Sequence, residues 1–396
     1  MNATHTMVLP TRDDTIFSAQ AVFDSVDFGR QSTVVHSSPW PVLNASHWIA
    51  ETDDLGIMLF CGHYIWNEAF TTREARRATR SATFAAHVQQ RVTNLLTAFA
   101  HDSCKAVLVN TEFERRRAEG YLSAVGHPAL AETVAGKLRV LYPAVAPRPR
   151  SVVERKWQEE TPLTVMFCGR NFAEKRGASA LRAFARVLQA WPDTRCIYIG
   201  EIPEDAMTEH HQVLQQIRHF PTLSHREVFA YFDQAHILFH PGMSESVGAV
   251  FIEAAAAGVA IITAAGPGYE HIEEWFDRGG ASLIDRRTVA PAAEESAFAA
   301  ALLELRRDVT LARRHGLYNY AMVTEGCLSL QRRDAILTPL YSRGSHEASP
   351  LTLDHFERRP EQAILSMTSD DLMLARNAYQ RSTGRQGQAL EVSYEL

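Results

Sequence analysis

The chain has 396 residues, 46% hydrophobic and 22% charged, the balance of a soluble globular protein long enough for two or three domains. A formal net charge of −6 gives no bulk attraction to nucleic acid, and no run of about eighteen apolar residues is present to cross a membrane. The five cysteines (Cys61, Cys104, Cys168, Cys196 and Cys327) form no CxxC pair and the opening MNATHTMVLPTRDD lacks a secretory pattern, which excludes a disulfide framework or zinc site and predicts a cytoplasmic protein with reduced thiols.

Residues 1–30 carry no readable pattern. Thr33–His36 reads as a strand and HSSPWP after it as a loop. Gly56–Cys61 (GIMLFC) is apolar throughout, as a buried parallel strand should be, and runs into His63. A helix is expected from about residue 73 to 99, with apolar positions at Phe84, Val88, Val92, Leu95, Leu96 and Phe99. Ala106–Val109 is the next strand, and Asn110 and Thr111 cap the helix TEFERRRAEGYL. Leu138–Tyr142, closed by Pro143, completes a set of βα units on a parallel sheet. Residues 1–145 are therefore a first domain. The Pro-rich, charged stretch 146–162 reads as a linker.

A second domain, residues 163–343, restarts with the strand Leu163–Cys168, the loop GRNFAEKRG and a helix over Ala178–Trp191. The strand Arg195–Ile199 follows, then a capping-box spacing, Ser224 and Glu227, before the helix REVFAYFDQA. Ile237–Phe239 is a short buried strand ended by Pro241 and Gly242. A turn carries Glu245, and a helix of small residues over Val247–Ala257 closes at Gly258, placed for a left-handed C′ residue. The strand Val259–Thr263, the loop Gly266-Pro267-Gly268 and a helix near Glu270 complete a βαβ unit. Two amphipathic helical patterns run on to Leu340. Residues 344–396 are a polar extension with one helix over Asp370–Gln380.

The chemistry concentrates in that βαβ unit. Glu245 and Glu253 are separated by seven residues, at the carboxyl edge of a parallel sheet where ligands bind. A carboxylate accepts from two donors at once, which suits the vicinal hydroxyls of a ribose or hexose. The free amides of Ser246, Val247 and Gly248 at a helix N-terminus favour an anion. The plainer alternative is that Glu245 caps the helix and Glu253 is solvated. Against it, Glu253 is flanked by Phe251, Ile252 and an alanine run, where an ionised side chain needs a partner. Arg170, Lys175 and Arg176 share the loop after the second domain's first strand, either as a solvated cluster or as an anion site. Gly266-Pro267-Gly268 with Glu270 is either a ligand-approaching wall or an ordinary loop. No DxD-like metal motif follows a strand.

The segment SESVGAVFIEAAAAGVAIITAAGPGYEHI resembles the donor-binding signature of the retaining family 4 glycosyltransferases (glycosyl transferases group 1), E-x7-E followed by a small-residue helix and G-x-P-V-I. The resemblance is strong over about 160–285 and weaker over 56–145, where NTEFERRRAEGYL and KLRVLYPAV share the family's rhythm. The family's Gly-Gly loop after the first strand is not present, its E-A-M-A segment is all alanine after Glu253, and the tail lies outside the pattern. The resemblance implies an α/β protein of GT-B architecture, two Rossmann-like parallel-sheet domains facing a cleft. It implies a nucleotide-diphosphate sugar as donor, with Glu253 on the ribose and Glu245 on the donor sugar. Arg170, with Lys175 or Arg176, and the amides of Val247 and Gly248 would hold the diphosphate. His63 would contact a donor-sugar hydroxyl or orient the acceptor, with His36 as the competing histidine. No metal or other cofactor is expected, because cations and amides aimed at the leaving diphosphate stabilise it.

The expected activity is thus a metal-independent retaining hexosyl transfer to a hydroxyl acceptor. The acceptor is open among polysaccharide, lipid carrier, natural product and protein. Peripheral membrane contact and oligomeric state are also left open. A GT-B nucleotide-sugar epimerase and a non-catalytic nucleotide-sugar binder are the alternatives.

Overall fold

The computed structural model describes residues 34–37, 41–42, 45–52, 55, 92–158, 162–245, 247–277, 279–342, 348–352 and 355. The strand expected at 56–61, His63, the helix before residue 92 and the helix at 370–380 lie outside them. Two compact units are present, residues 1–141 with 338–396, and residues 142–337.

The first unit holds the strands β1 (Val35–Ser37), β2 (Trp48–Thr52), β3 (Cys104–Val109) and β4 (Leu138–Val140), paired in that order. Every pair is parallel. β2 has no strong strand pattern of its own and was not expected. Pairing with β1 on one side and β3 on the other stabilises it, and Trp48 donates to the Ser103 hydroxyl at 2.9 Å. Helix α1 (residues 92–100) packs Leu95, Leu96 and Phe99 into the core, and Lys137 closes its end by donating to the carbonyls of Phe99, Ala100 and His101. Thr111 caps α2 (Glu112–Ala124) by accepting from the Glu114 amide at 3.0 Å. Helix α3 (Pro128–Lys137) leads into β4.

The second unit opens with α4 (Arg150–Gln158) in the stretch read as a linker. Its prolines and charges mask a short apolar face: Val153 and Trp157, four apart, are buried in the second core. Strands β5 (Thr164–Cys168), β6 (Arg195–Ile199), β7 (Arg218–Phe220), β8 (Ile237–Phe239), β9 (Ala260–Ala265) and β10 (Ala281–Asp285) form one parallel sheet in the order β10-β9-β8-β5-β6-β7. This is the doubly wound Rossmann order, and it reverses between β5 and β8. Helices lie between the strands: α5 (Gly177–Ala190), α6 (Glu204–Glu209), α7 (His211–Leu214), α8 (His225–Phe232), α9 (Ala249–Ala256) and α10 (Glu270–Trp275). The last three are α11 (Pro291–Arg307), α12 (Val309–Thr324) and α13 (Leu330–Tyr341). Helices α5, α7 and α11 pack together, as do α8, α9 and α12, and β8 and β9 are buried at every residue. Gly258 ends α9 with φ +67°, and a Cβ there would lie 2.3 Å from Val153 of α4. Among the described residues no helix is long and apolar enough to cross a membrane.

A buried histidine makes this unit pH-sensitive. His236, before β8, accepts from the Thr164 amide through Nδ1 at 3.1 Å and donates from Nε2 to the Lys156 carbonyl at 3.1 Å. Burial, then the charge of Lys156, lowers its pKa from 6.5 to about 4. The unfolded chain takes up a proton between those values and the folded chain does not. Stability is therefore complete above pH 6.5 and falls as the pH drops towards 4. The expected slope is about 1.4 kcal/mol per pH unit from this group. Denaturant unfolding at pH 7.0, 5.5 and 4.5 measures it as the difference in slope between wild type and His236→Gln.

Candidate active site

The strand order reverses between β5 and β8, the place where open α/β sheets bind ligands, and the loops after these two strands meet there. Three loops are tied together there. The Met243 amide, after β8, donates to the Glu174 carbonyl, after β5, at 2.8 Å. The Glu245 amide donates to the Gly268 carbonyl, after β9, at 3.2 Å. Glu270 accepts from the Gly268 amide at 2.9 Å, which closes that loop. Lys175 crosses from the first loop to the second, 3.0 Å from the Ser244 carbonyl and 2.7 Å from the Glu245 carboxylate. His240 places Nε2 3.2 Å from the same carboxylate. The Glu245 side chain is only 11% exposed. Burial raises its pKa, and Lys175 opposes that rise and favours the anion.

Helix α9 begins at once. Gly248 is its N-cap in the left-handed region, φ +65°, and a Cβ there would lie 2.8 Å from both Ile272 and Phe251. The first amides of such a helix have no intrahelical acceptor, so those of Val247, Gly248 and Ala249 are donors an anion could use at this end of α9. Ser246 lies outside the described residues. Glu253 is on the second turn. Its neighbours Phe251 and Ile252 are buried, while Glu253 accepts from His225 Nε2 at 2.7 Å. His225 opens α8, whose capping box is complete: Ser224 accepts from the Glu227 amide and Glu227 from the Ser224 amide. The partner that Glu253 needs is this histidine.

The three cations of the β5 loop take different places. Arg170 is exposed and has no hydrogen-bond or ion-pair partner among the described residues. Lys175 belongs to Glu245. Arg176, at φ +52° before α5, pairs instead with Glu294 of α11 at 2.8 Å. Glu294 is buried and also holds Arg286 at 2.8 Å. Arg286 in turn donates to the carbonyls of Gly242 and Met243, both at 2.5 Å, and lies over the Tyr269 ring. In the first unit, His36 bonds to the Tyr341 hydroxyl at 2.7 Å and lies 3.0 Å from Glu51, so it is already engaged. Among the described residues no group of three His, Cys, Asp or Glu could hold a metal ion.

Residues 150–321 match the family model described as Glycosyl transferases group 1. That match lies within the second unit. No curated protein matches the chain. Among solved structures, sucrose-phosphate synthase from Thermosynechococcus elongatus is similar at 16% identity and a TM-score of 0.51, with 78% of this chain and 72% of that one covered. WaaG, a glycosyltransferase involved in lipopolysaccharide biosynthesis, gives 16% identity and a TM-score of 0.49 over 74% of this chain and 78% of that one. The two parallel-sheet units are those of the GT-B fold.

In the second unit the structure brings Glu245, Lys175 and the N-terminus of α9 together, with Glu253 one turn further along. Arg176 is turned to Glu294, and His63 lies outside the described residues. Four residues of the site were not reached from sequence. His225 and His240 stood in view, but neither belongs to a spaced motif. Glu294 and Arg286 carry no local signal, because the contact that matters is between α11 and the loop after β5.

Proposed function

We propose that the chain is a retaining glycosyltransferase that moves a sugar from a nucleotide-diphosphate sugar to a hydroxyl acceptor. The observation that carries this reading is the Glu245 carboxylate, held by Lys175 at the foot of α9, with Glu253 on the same helix. In this reading Glu253 takes the ribose, and the amides at Val247 and Gly248 take the diphosphate with Arg170 and Lys175. Glu245 takes hydroxyls of the donor sugar. The bond from the sugar's anomeric carbon to the diphosphate breaks, and positive charge on the chain stabilises the leaving oxygen. The acceptor oxygen attacks from the face the diphosphate leaves, and its proton passes to the departing phosphate. Retention of configuration follows. Lys175, Arg170 and the α9 amides supply the positive charge, so the reading needs no metal.

Incubation with UDP-, GDP-, ADP- and dTDP-sugars without acceptor, followed by mass spectrometry and NMR, tests the reading. Slow release of free nucleotide from one donor, with the α sugar as first product of an α-linked donor, is expected. Two interconverting sugars with the nucleotide still attached would make the protein an epimerase. No binding of any nucleotide sugar would overturn the assignment of Glu253 and Arg170. Arg170→Ala should weaken nucleoside-diphosphate binding by roughly tenfold to a hundredfold, the worth of one charged hydrogen bond. It should leave the melting temperature unchanged, since Arg170 is exposed and has no partner among the described residues. Titration calorimetry and thermal unfolding read the two.

A further inference from the structure

Behind Glu245 lies a buried polar cluster to which the proposed chemistry gives no role. His240 follows β8 and is 1% exposed. Its amide extends the ladder to the Ile262 carbonyl at 2.9 Å. The ring lies nearly parallel to Phe167, 6.1 Å away, and meets Phe251 edge-on at 4.9 Å. Two aromatic neighbours and a paired backbone leave the imidazole little freedom. Its Nδ1 is buried without a hydrogen-bond partner, and the buried Tyr269 and Thr263 hydroxyls have no partner beyond each other. Native interiors rarely leave such groups unmet. Gly242 shows that two of them share one space. A Cβ on Gly242 would lie 2.7 Å from the Tyr269 oxygen, 3.0 Å from His240 Cε1 and 3.3 Å from its Nδ1.

We propose that His240 is a positioning residue for Glu245, a neutral imidazole donating from Nε2–H to the carboxylate and braced by one water held between its Nδ1 and the Tyr269 hydroxyl. The inference rests on the reading of Glu245 as the donor-sugar carboxylate. A neutral imidazole carries one N–H. Nε2 faces an anion, so the proton belongs there and Nδ1 is left as an acceptor. Burial and the nearby charge of Lys175 keep the ring neutral, with its pKa lowered to about 3. The groups that face it are then Glu245, Lys175 and Tyr269, with Thr263 beside Tyr269, and their hydrogens can all point one way. Thr263 donates to the Tyr269 oxygen, Tyr269 to the water, the water to Nδ1, and Nε2–H to Glu245.

The geometry at Glu245 gives this chain a purpose. Lys175 and His240 both contact Oε1, at 2.7 Å and 3.2 Å. Two donors on one oxygen fix the carboxylate plane and leave Oε2 free for sugar hydroxyls. A site that discriminates by hydrogen bonding needs its acceptor held in advance of binding. A side chain at Gly242 would press on the Tyr269 hydroxyl and the His240 ring, so glycine there leaves both in place.

The test uses the full chain labelled with 15N-histidine, in which the signals lost in His240→Gln identify His240 among the 17 histidines. Two-bond proton–nitrogen spectra should show it as the Nε2–H tautomer, unchanged between pH 5 and 8. Tyr269→Phe and Gly242→Ala should each move its Nδ1 shift. An Nδ1–H tautomer, a titration within that range, or an Nδ1 shift indifferent to both substitutions would overturn the proposal. Gln places an amide N–H near the Nε2 position and Asn near Nδ1. With a donor found by the panel above, His240→Asn should lose roughly tenfold to a hundredfold in kcat with little change in KM, and His240→Gln should lose clearly less. Equal losses in two variants of equal melting temperature would overturn it as well. If no donor is turned over, the reading of the function fails, and the tautomer result stands or falls by itself.

Discussion

Replacing Glu245 with Gln should lower donor turnover by about 10²- to 10³-fold, the scale of losing one preorganised electrostatic contact to the reacting group. Nucleoside-diphosphate affinity should change little, because the groups assigned to ribose and diphosphate are Glu253, Arg170, Lys175 and the α9 amides, and Glu245 is not among them. The fold should survive. Lys175 keeps its bond to the Ser244 carbonyl at 3.0 Å when the carboxylate is gone. Hydrolysis rates and calorimetric titration with the matching nucleoside diphosphate separate turnover from binding. Equal losses in both would make Glu245 a structural residue, and undiminished turnover would remove it from the chemistry. The wild type should also show an acid limb. Burial raises the Glu245 pKa above 4.5, so the anion is lost at a higher pH than for an exposed carboxylate. Lys175→Met should move that limb to still higher pH, since Lys175 is the charge that opposes the rise.

Glu294→Gln should cause the largest loss of stability of any single change discussed here. Glu294 is 4% exposed and is shared by Arg176 and Arg286. Removing its charge leaves two guanidinium groups facing a neutral amide. Breaking a buried pair costs about 3–5 kcal/mol, and the expected value is near the lower end, because Arg176 is 30% exposed and screened by water. For a unit of this size each kcal/mol is worth about 2–4 °C in melting temperature. Arg286 would also loosen its hold on the Gly242 and Met243 carbonyls, so nucleotide-sugar binding should weaken with the fold. The neighbouring Glu295→Gln is the control. Its partner Arg182 is 40% exposed, and a surface pair is worth about 1 kcal/mol at most. Thermal unfolding of the two variants side by side decides the matter, and equal shifts would show that Glu294 holds nothing together.

Much of the second sheet was legible in the sequence. β5, β6, β8 and β9 are short apolar runs bounded by Gly, Pro or charge, and their local pattern agrees with their final place. The capping box at Ser224 and the left-handed Gly258 were readable because a cap is a local bargain between neighbours. The edge strands β7 and β10 and the first unit's β2 were not. β7 (RHF), β10 (ASLID) and β2 (WIAET) mix polar with apolar residues, and pairing rather than pattern makes each a strand. Helix α4 was hidden by composition, since two buried residues, Val153 and Trp157, decide its fate and the prolines and charges around them do not.

The sequence alone marked out the candidate site: the E-x7-E spacing, the small-residue helix behind it and the basic loop are local facts, each set by residues within a few turns of each other. Only the tertiary structure decided what each group does. It assigned Lys175 to Glu245 and Arg176 to Glu294, gave His225 to Glu253, and set His240 behind the carboxylate. The physical reason is that charge partners are chosen by distance in space. The strand reversal brings loops more than sixty residues apart within 3 Å, a proximity that no periodicity in the chain records.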